Sequence, residues 1–127
     1  MAEIRTLIVD DQPDIRLLVR TVINLANEGL SVVGEAASGS EALAQVEECN
    51  PLVIILDEMM PEMSGLETAR HIRSRRPAQL MVLCSAYLDE EVIARAREVG
   101  IDAWLSKDDV HKLPTLLHAL AGAGGHL

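Results

Sequence analysis

Three aspartates stand where short hydrophobic runs give out: Asp10 and Asp11 after Thr-Leu-Ile-Val, and Asp57 after Leu-Val-Ile-Ile-Leu. Ser85 follows Leu-Met-Val-Leu-Cys in the same way, and Lys107 follows Ala-Trp-Leu-Ser. If these runs are neighbouring strands of one sheet, their ends bring the five residues into one cleft. Three carboxylates gathered in a partly dehydrated cleft repel one another and hold their protons more tightly unless a cation joins them. A divalent metal is the simplest such cation. An all-oxygen, water-accessible donor set favours magnesium, which keeps several waters and takes one or two carboxylates plus a phosphoryl oxygen. A lysine and a serine beside it then complete a site for a phosphoryl group.

The elements that must position these groups follow from hydrophobic period. Residues 4–10 predict a strand covered on both faces. Pro13 suits the first turn of a helix whose Ile15, Leu18, Val19, Val22 and Ala26 lie on one stripe, with Gly29 as its left-handed stop. Residues 30–36 predict a second strand. Ser38 with Glu41 is a capping-box pattern that opens a helix through Glu48. The run from Leu52 to Asp57 is the most hydrophobic of all and is expected at the centre of the sheet.

Ser64 with Glu67 repeats the capping-box spacing ahead of Leu66, Ala69 and Ile72, predicting a helix to Arg75. Residues 80–84 predict the fourth strand, followed by a helix that turns Val92, Ala96 and Val99 inward and stops at Gly100. Residues 101–106 give the last strand. Leu113, Leu116, Leu117 and Leu120 give the last helix, with Pro114 confined to its first turn. Strict strand-helix alternation implies right-handed crossovers and one parallel five-stranded sheet between two helical layers, a single (βα)5 domain of the α/β class over residues 1–121. Residues 122–127 read as a flexible Gly-rich tail or the start of a linker. In such sheets ligands bind beyond the carboxyl ends of the strands, where the residues singled out above all fall.

Composition excludes several other functions. The length of 127 residues suits one domain. Eleven Lys and Arg against 20 Asp and Glu leave a net charge of −9, the wrong sign for holding nucleic acid or an anionic membrane surface. At 2% aromatic residues there is almost nothing on which bases could stack. Hydrophobic residues at 49% and charged ones at 24% belong to a chain that folds. Cys49 and Cys84 read as small buried hydrophobes in a reducing compartment. No apolar stretch is long enough to span a membrane, and a soluble cytoplasmic protein is expected.

The stretch Asp-Glu-Met-Met-Pro-Glu-Met-Ser-Gly at residues 57–65 resembles the acceptor motif of the receiver domains of two-component response regulators. Val9-Asp10-Asp11, Ser85-Ala86 and Ser106-Lys107 sit where the same resemblance expects them, so it extends over essentially the whole chain. It implies a flavodoxin-like sandwich with strand order 2-1-3-4-5. It also implies that Asp57 takes a phosphoryl group from a sensor histidine kinase or phosphotransfer protein. Magnesium, for which manganese can substitute, would be held by Asp11 directly, by Asp10 through water, by Asp57 and by the backbone carbonyl of Met59. Lys107, the Ser85 hydroxyl and the Ala86 N–H would hold phosphoryl oxygens.

By the same resemblance, Ser85 and an aromatic three residues before the lysine, here Trp104 where Tyr or Phe is commoner, form the switch. They would repack the face made by the fourth helix and the last strand and helix. Met59 and Tyr87, bulky and not acidic, occupy the positions that tune hydrolysis, where they would shield the acyl phosphate from water. The implied protein is a signalling module and not an enzyme, catalysing only its own phosphorylation and dephosphorylation. Implied partners are the kinase, a second copy on phosphorylation, and a C-terminal DNA-binding effector domain beyond Leu127, toward which Lys107-Asp108 points. The alternative is a pseudo-receiver that binds protein or dimerises without phosphorylation.

The remaining features have simpler readings. His111 and His118 read as surface residues because their spacing does not suit a metal pair, and His71 and His126 have no evident partners. Arg73, Arg75 and Arg76 complement a helix dipole. Gly34 to Gly39 has phosphate-loop spacing, but Ser40 and Glu41 replace the lysine and hydroxyl residue that such a loop requires. Met59 stands where a dehalogenase-type phosphatase would carry a second aspartate.

Overall fold

The computed structural model describes residues 3–124. Strands and helices alternate as β1 (Ile4–Val9), α1 (Pro13–Ala26), β2 (Leu30–Ala36), α2 (Gly39–Cys49), β3 (Val53–Leu56), α3 (Gly65–Arg75), β4 (Leu80–Ser85), α4 (Glu90–Val99), β5 (Ala103–Ser106) and α5 (Leu113–Gly124), with a 3₁₀ turn over Lys107–Lys112 before α5. The five strands are parallel in the order β2-β1-β3-β4-β5. β3 is central, as its unbroken apolar run requires, and all four of its residues are buried.

Side chains of a strand alternate between faces, so the sheet builds two cores. On one face Leu7, Val9, Ile54 and Leu56 pack with Val46 of α2, Ile72 of α3 and Ala96 of α4. On the other, Ile8, Val53, Ile55 and Val82 pack with Val19 and Ile23 of α1 and Leu113 and Leu117 of α5. The register then sets the site. Val9 pairs with Leu56, Leu56 with Leu83, and Ser85 with Ser106, so the residues that follow or close these strands share one edge.

The caps explain where the helices begin and end, with some departures from expectation. Ser64 and Glu67 close both bonds of the capping box at α3. At α2 only half of it forms: Ser38 Oγ accepts from Glu41 N–H at 3.2 Å, while the Glu41 carboxylate accepts from Ala37 N–H at 3.3 Å, one residue before the cap. α1 stops at Asn27 (φ 42°), whose N–H reaches the carbonyl of Ile23, and Gly29 falls in the turn to β2. Asn tolerates the left-handed region, so the first such residue after the apolar stripe ends the helix. Pro114 is in the first turn of α5, and that helix runs to Gly124, past the boundary expected at residue 121. Residues 125–127 of the expected tail lie outside the described residues.

Two arginines do more than complement a dipole. Arg73 Nη1 donates to the carbonyls of Pro77 and Gln79, each at 2.7 Å, and Nη2 donates to that of Gly100 at 2.6 Å, joining the ends of α3 and α4. Arg76 donates to the side chains of Gln79 and Asn50. Cys84 is buried, Cys49 only half-buried, and both thiols are free. Among the described residues no helix is long and apolar enough to cross a membrane.

Candidate functional site

The sheet ladder continues one step into the acids. Asp57 N–H donates to the carbonyl of Val9 at 2.9 Å and Asp10 N–H to that of Ala36 at 3.0 Å, so neither backbone is free to move. Asp10 Oδ1 accepts from Gln12 N–H at 2.9 Å, a local turn that leads into α1. Asp10 and Asp57 are each 3% exposed and Asp11 is half-buried. Beyond Asp57, Gly65 N–H donates to the carbonyl of Glu58 at 3.0 Å. A Cβ at residue 65 would lie 2.0 Å from the Asp57 carbonyl oxygen, so only glycine lets α3 begin this close to the loop that follows β3.

Lys107, delivered by β5, bridges two of the acids. Its Nζ is 3.0 Å from Asp10 Oδ2 and 3.2 Å from Asp57 Oδ1. Burial tends to discharge the ammonium, but the two carboxylates outweigh it and hold its proton above the usual lysine value. Asp57 is raised as well, which favours its neutral form: burial, then the charge of Asp10, raise its pKa from 3.8 to about 6 against the pull of Lys107. A single ammonium among three carboxylates leaves the cleft negative.

That imbalance suits a cation. One oxygen from each of Asp10, Asp11 and Asp57 lies within 4.8 Å of the others. Asp57 Oδ1 is buried and accepts no hydrogen bond, the Lys107 ammonium being within ion-pair reach only. An all-carboxylate set, two of its members buried and sharing a single ammonium, fits a hard divalent ion.

The other expected residues surround this centre. Ser85 is buried at the end of β4, where its Oγ accepts from Tyr87 N–H at 3.3 Å. Ala86 is exposed, and the side chains of Met59 and Tyr87 stand at the open rim, 64% and 71% exposed. Trp104 points to the face covered by α4, half-buried against the core, with the Arg97 guanidinium 5.1 Å from its ring centre. Cys84, beneath the acids, is inert: burial pushes its thiol up to about 12.

Glu58 is the residue that sequence reasoning passes over. An acid just past a strand end reads as solvated, yet Glu58 is 6% exposed, its carboxylate accepting from Leu66 N–H at 2.9 Å and from Arg95 at 3.3 Å. Burial raises its pKa above the ordinary glutamate value, opposed by those two partners. The one available signal is Arg95, and nothing in the sequence aligns it with residue 58.

The family profile described as the response regulator receiver domain matches residues 6–119. The chain is a member of the receiver family. It is 30% identical over 104 residues to the response regulator protein VraR of Staphylococcus aureus, an alignment covering 82% of this chain and 49% of VraR. The receiver thus spans about half the length of the curated relatives it matches. A LuxR-family two-component response regulator from Aurantimonas sp. superposes with a TM-score of 0.90 at 28% identity, over 96% of this chain and 87% of that one. The signal receiver domain of the putative response regulator NarL from Mycobacterium tuberculosis superposes with a TM-score of 0.83 at 27% identity, over the full length of both. This receiver is therefore a signalling domain of the two-component class, with the fold and strand order expected of it.

Proposed function

We propose that this receiver takes a phosphoryl group onto Asp57 from the phosphohistidine of a sensor kinase or phosphotransfer protein. The observation that carries the reading is Asp57 Oδ1: a buried carboxylate oxygen with no hydrogen bond, beside Lys107 and two further aspartates. In the transfer an Asp57 oxygen forms a bond to phosphorus while the phosphorus–nitrogen bond of the donor breaks, and the electron pair returns to the imidazole. Asp10, Asp11, Asp57 and the Met59 backbone carbonyl would hold Mg²⁺, or Mn²⁺ in its place. When bound, the ion supplies positive charge against the repulsion between carboxylate and phosphoryl oxygens.

The chain's own groups do the rest. Lys107, already charged and aimed at Asp57, needs only to exchange one carboxylate contact for a phosphoryl oxygen. The Ser85 hydroxyl would leave its local contact with Tyr87 to donate to a second oxygen, and the Ala86 N–H would donate beside it. Movement of Ser85 would let Trp104 change its packing, altering the face formed by α4, β5 and α5. The output would be a dimer or a change in a C-terminal DNA-binding domain, a reading supported by the LuxR-family description of the Aurantimonas relative. The setting proposed is the cytoplasm, where the free thiols stay reduced.

Intact mass after incubation with magnesium and a small acyl phosphate tests the proposal. Wild type gains one phosphate; Asp57→Asn, and wild type without magnesium, gain none. An unmodified wild type, with a donor proven on another receiver and a fast quench, would instead leave a pseudo-receiver that binds partners without phosphorylation.

A further inference from the structure

The acceptor loop between β3 and α3 is held at both ends of one residue. The Glu58 carbonyl accepts from Gly65 N–H at 3.0 Å, and its Oε1 accepts from Leu66 N–H at 2.9 Å, so main chain and side chain both grip the first turn of α3. Its Oε2 faces outward to Arg95 of α4 at 3.3 Å. The Glu58 side chain is 8% exposed and that of Arg95 49%. A buried carboxylate is costly unless its oxygens are hydrogen-bonded, and an apolar side chain would fill this place at lower cost. The use of an acid therefore needs a reason, and its two oxygens supply it: one closes the loop, the other reaches a second helix.

We propose that Glu58 is a positioning residue that braces the acceptor loop against α3 and, through Arg95, ties that loop to α4. The inference rests on Asp57 being the acceptor, since Glu58 lies between Asp57, which the sheet ladder already holds, and the Met59 carbonyl, which keeps its place only while the loop stays closed. α4 is the natural listener. Of its ten residues only Ala96 and Val99 are buried, with Val92 partly so against the core, and the Arg95 contact adds to these a link to the acceptor loop. A change at the acceptor loop thereby reaches the helix that covers Trp104.

Two substitutions separate the two oxygens. Glu58→Gln keeps an acceptor for Leu66 N–H and removes the charge that Arg95 meets, whereas Glu58→Ala removes both. Hydrogen exchange on the unphosphorylated full chain is expected to speed up about tenfold or more at the Leu66 amide in Glu58→Ala, the size of a lost charge-assisted hydrogen bond, and to stay near wild type there in Glu58→Gln. In α4, Glu58→Gln and Arg95→Met both speed exchange about threefold, as for a half-exposed ion pair. Phosphorylation by the acyl phosphate slows about tenfold in Glu58→Ala and is rescued by Gln, a pattern that general destabilisation does not produce.

Wild-type exchange at Leu66 in Glu58→Ala would overturn the brace, and wild-type exchange in α4 in Arg95→Met would overturn the tie. Equal slowing of phosphorylation by Ala and Gln would also overturn it, because the carboxylate would then act by charge alone. The exchange arm needs no phosphate, so it decides the brace even where Asp57 takes none, an outcome that counts against the acceptor reading only.

Discussion

The two ends of the sheet treat charge in opposite ways. At the amino end of β4, Arg73 commits its guanidinium to three backbone carbonyls, and the buried Gln79 amide donates to the carbonyls of Pro51, Leu52 and Leu80. These donors all meet acceptors, so the end is closed and stabilising. At the carboxyl end, Asp10 and Asp57 lie buried side by side with one ammonium between them and one oxygen without a hydrogen bond. Burial and the neighbouring charge of Asp10 disfavour the ionised Asp57 there, and the arrangement suits a ligand that carries positive charge. One end of the fold is built to be rigid, the other to react.

Neutralising the acid tests this contrast most severely. Asp57→Asn abolishes phosphorylation, read by intact mass, and at the same time stabilises the metal-free protein by on the order of 1–2 kcal/mol, read by denaturant melts at neutral pH. A functional residue whose removal raises stability marks the carboxyl end as the strained one. If Asp57→Asn melts earlier than wild type, Lys107 outweighs the burial cost and the two ends differ less than their geometry implies.

Arg73→Ala should do the reverse. Three carbonyls lose their donor, which costs about 2 kcal/mol in the same melts, while the rate of phosphorylation by an acyl phosphate stays at the wild-type value. A loss of phosphorylation at temperatures where the variant is fully folded would show that the ends are coupled.

Acid separates the ends without any change of sequence. The folded pKa of Asp57, about 6, lies above the 3.8 of an ordinary aspartate, so between these values the folded state binds more protons than the unfolded one. Stability from this group therefore rises as pH falls through 6 toward 4. With a chelator present, melting midpoints of wild type should rise relative to those of Asp57→Asn between about pH 7 and pH 5. Asp10 and Lys107 are coupled to Asp57, so the difference reports Asp57 together with its effect on these two neighbours. A constant difference across that range would mean that Asp57 is ionised throughout.

Much of this contrast is legible in the amino-acid sequence. Acids that follow runs such as Thr-Leu-Ile-Val and Leu-Val-Ile-Ile-Leu must lie at strand ends, and alternation forces those ends to one edge; both inferences depend only on local period and chain order. What the sequence hides depends on contacts between distant residues. Asn27 ends α1 before Gly29 can, because two residues able to adopt the left-handed region compete and only packing chooses between them. Glu58 is invisible because its partners, Leu66 N–H and Arg95, come from two other elements. Arg73 looks like a dipole partner because its three carbonyls belong to turns that only the fold brings together.

A subtler response is expected at the rim of the carboxyl end, where the site meets water. Met59 and Tyr87 flank the cleft with exposed side chains that offer no general base. Met59→Asn or Tyr87→Glu places beside the acyl phosphate a polar group able to orient an attacking water, and the proposed shield predicts that each speeds dephosphorylation by about 3- to 10-fold. Loss of the phosphorylated mass with time, after removal of the donor, measures it. Neither side chain contributes to the buried acid cluster, so the melting midpoint should stay put. If both variants keep the wild-type lifetime, the rim does not protect the phosphate, and protection must come from the buried groups, with Lys107 the first to examine.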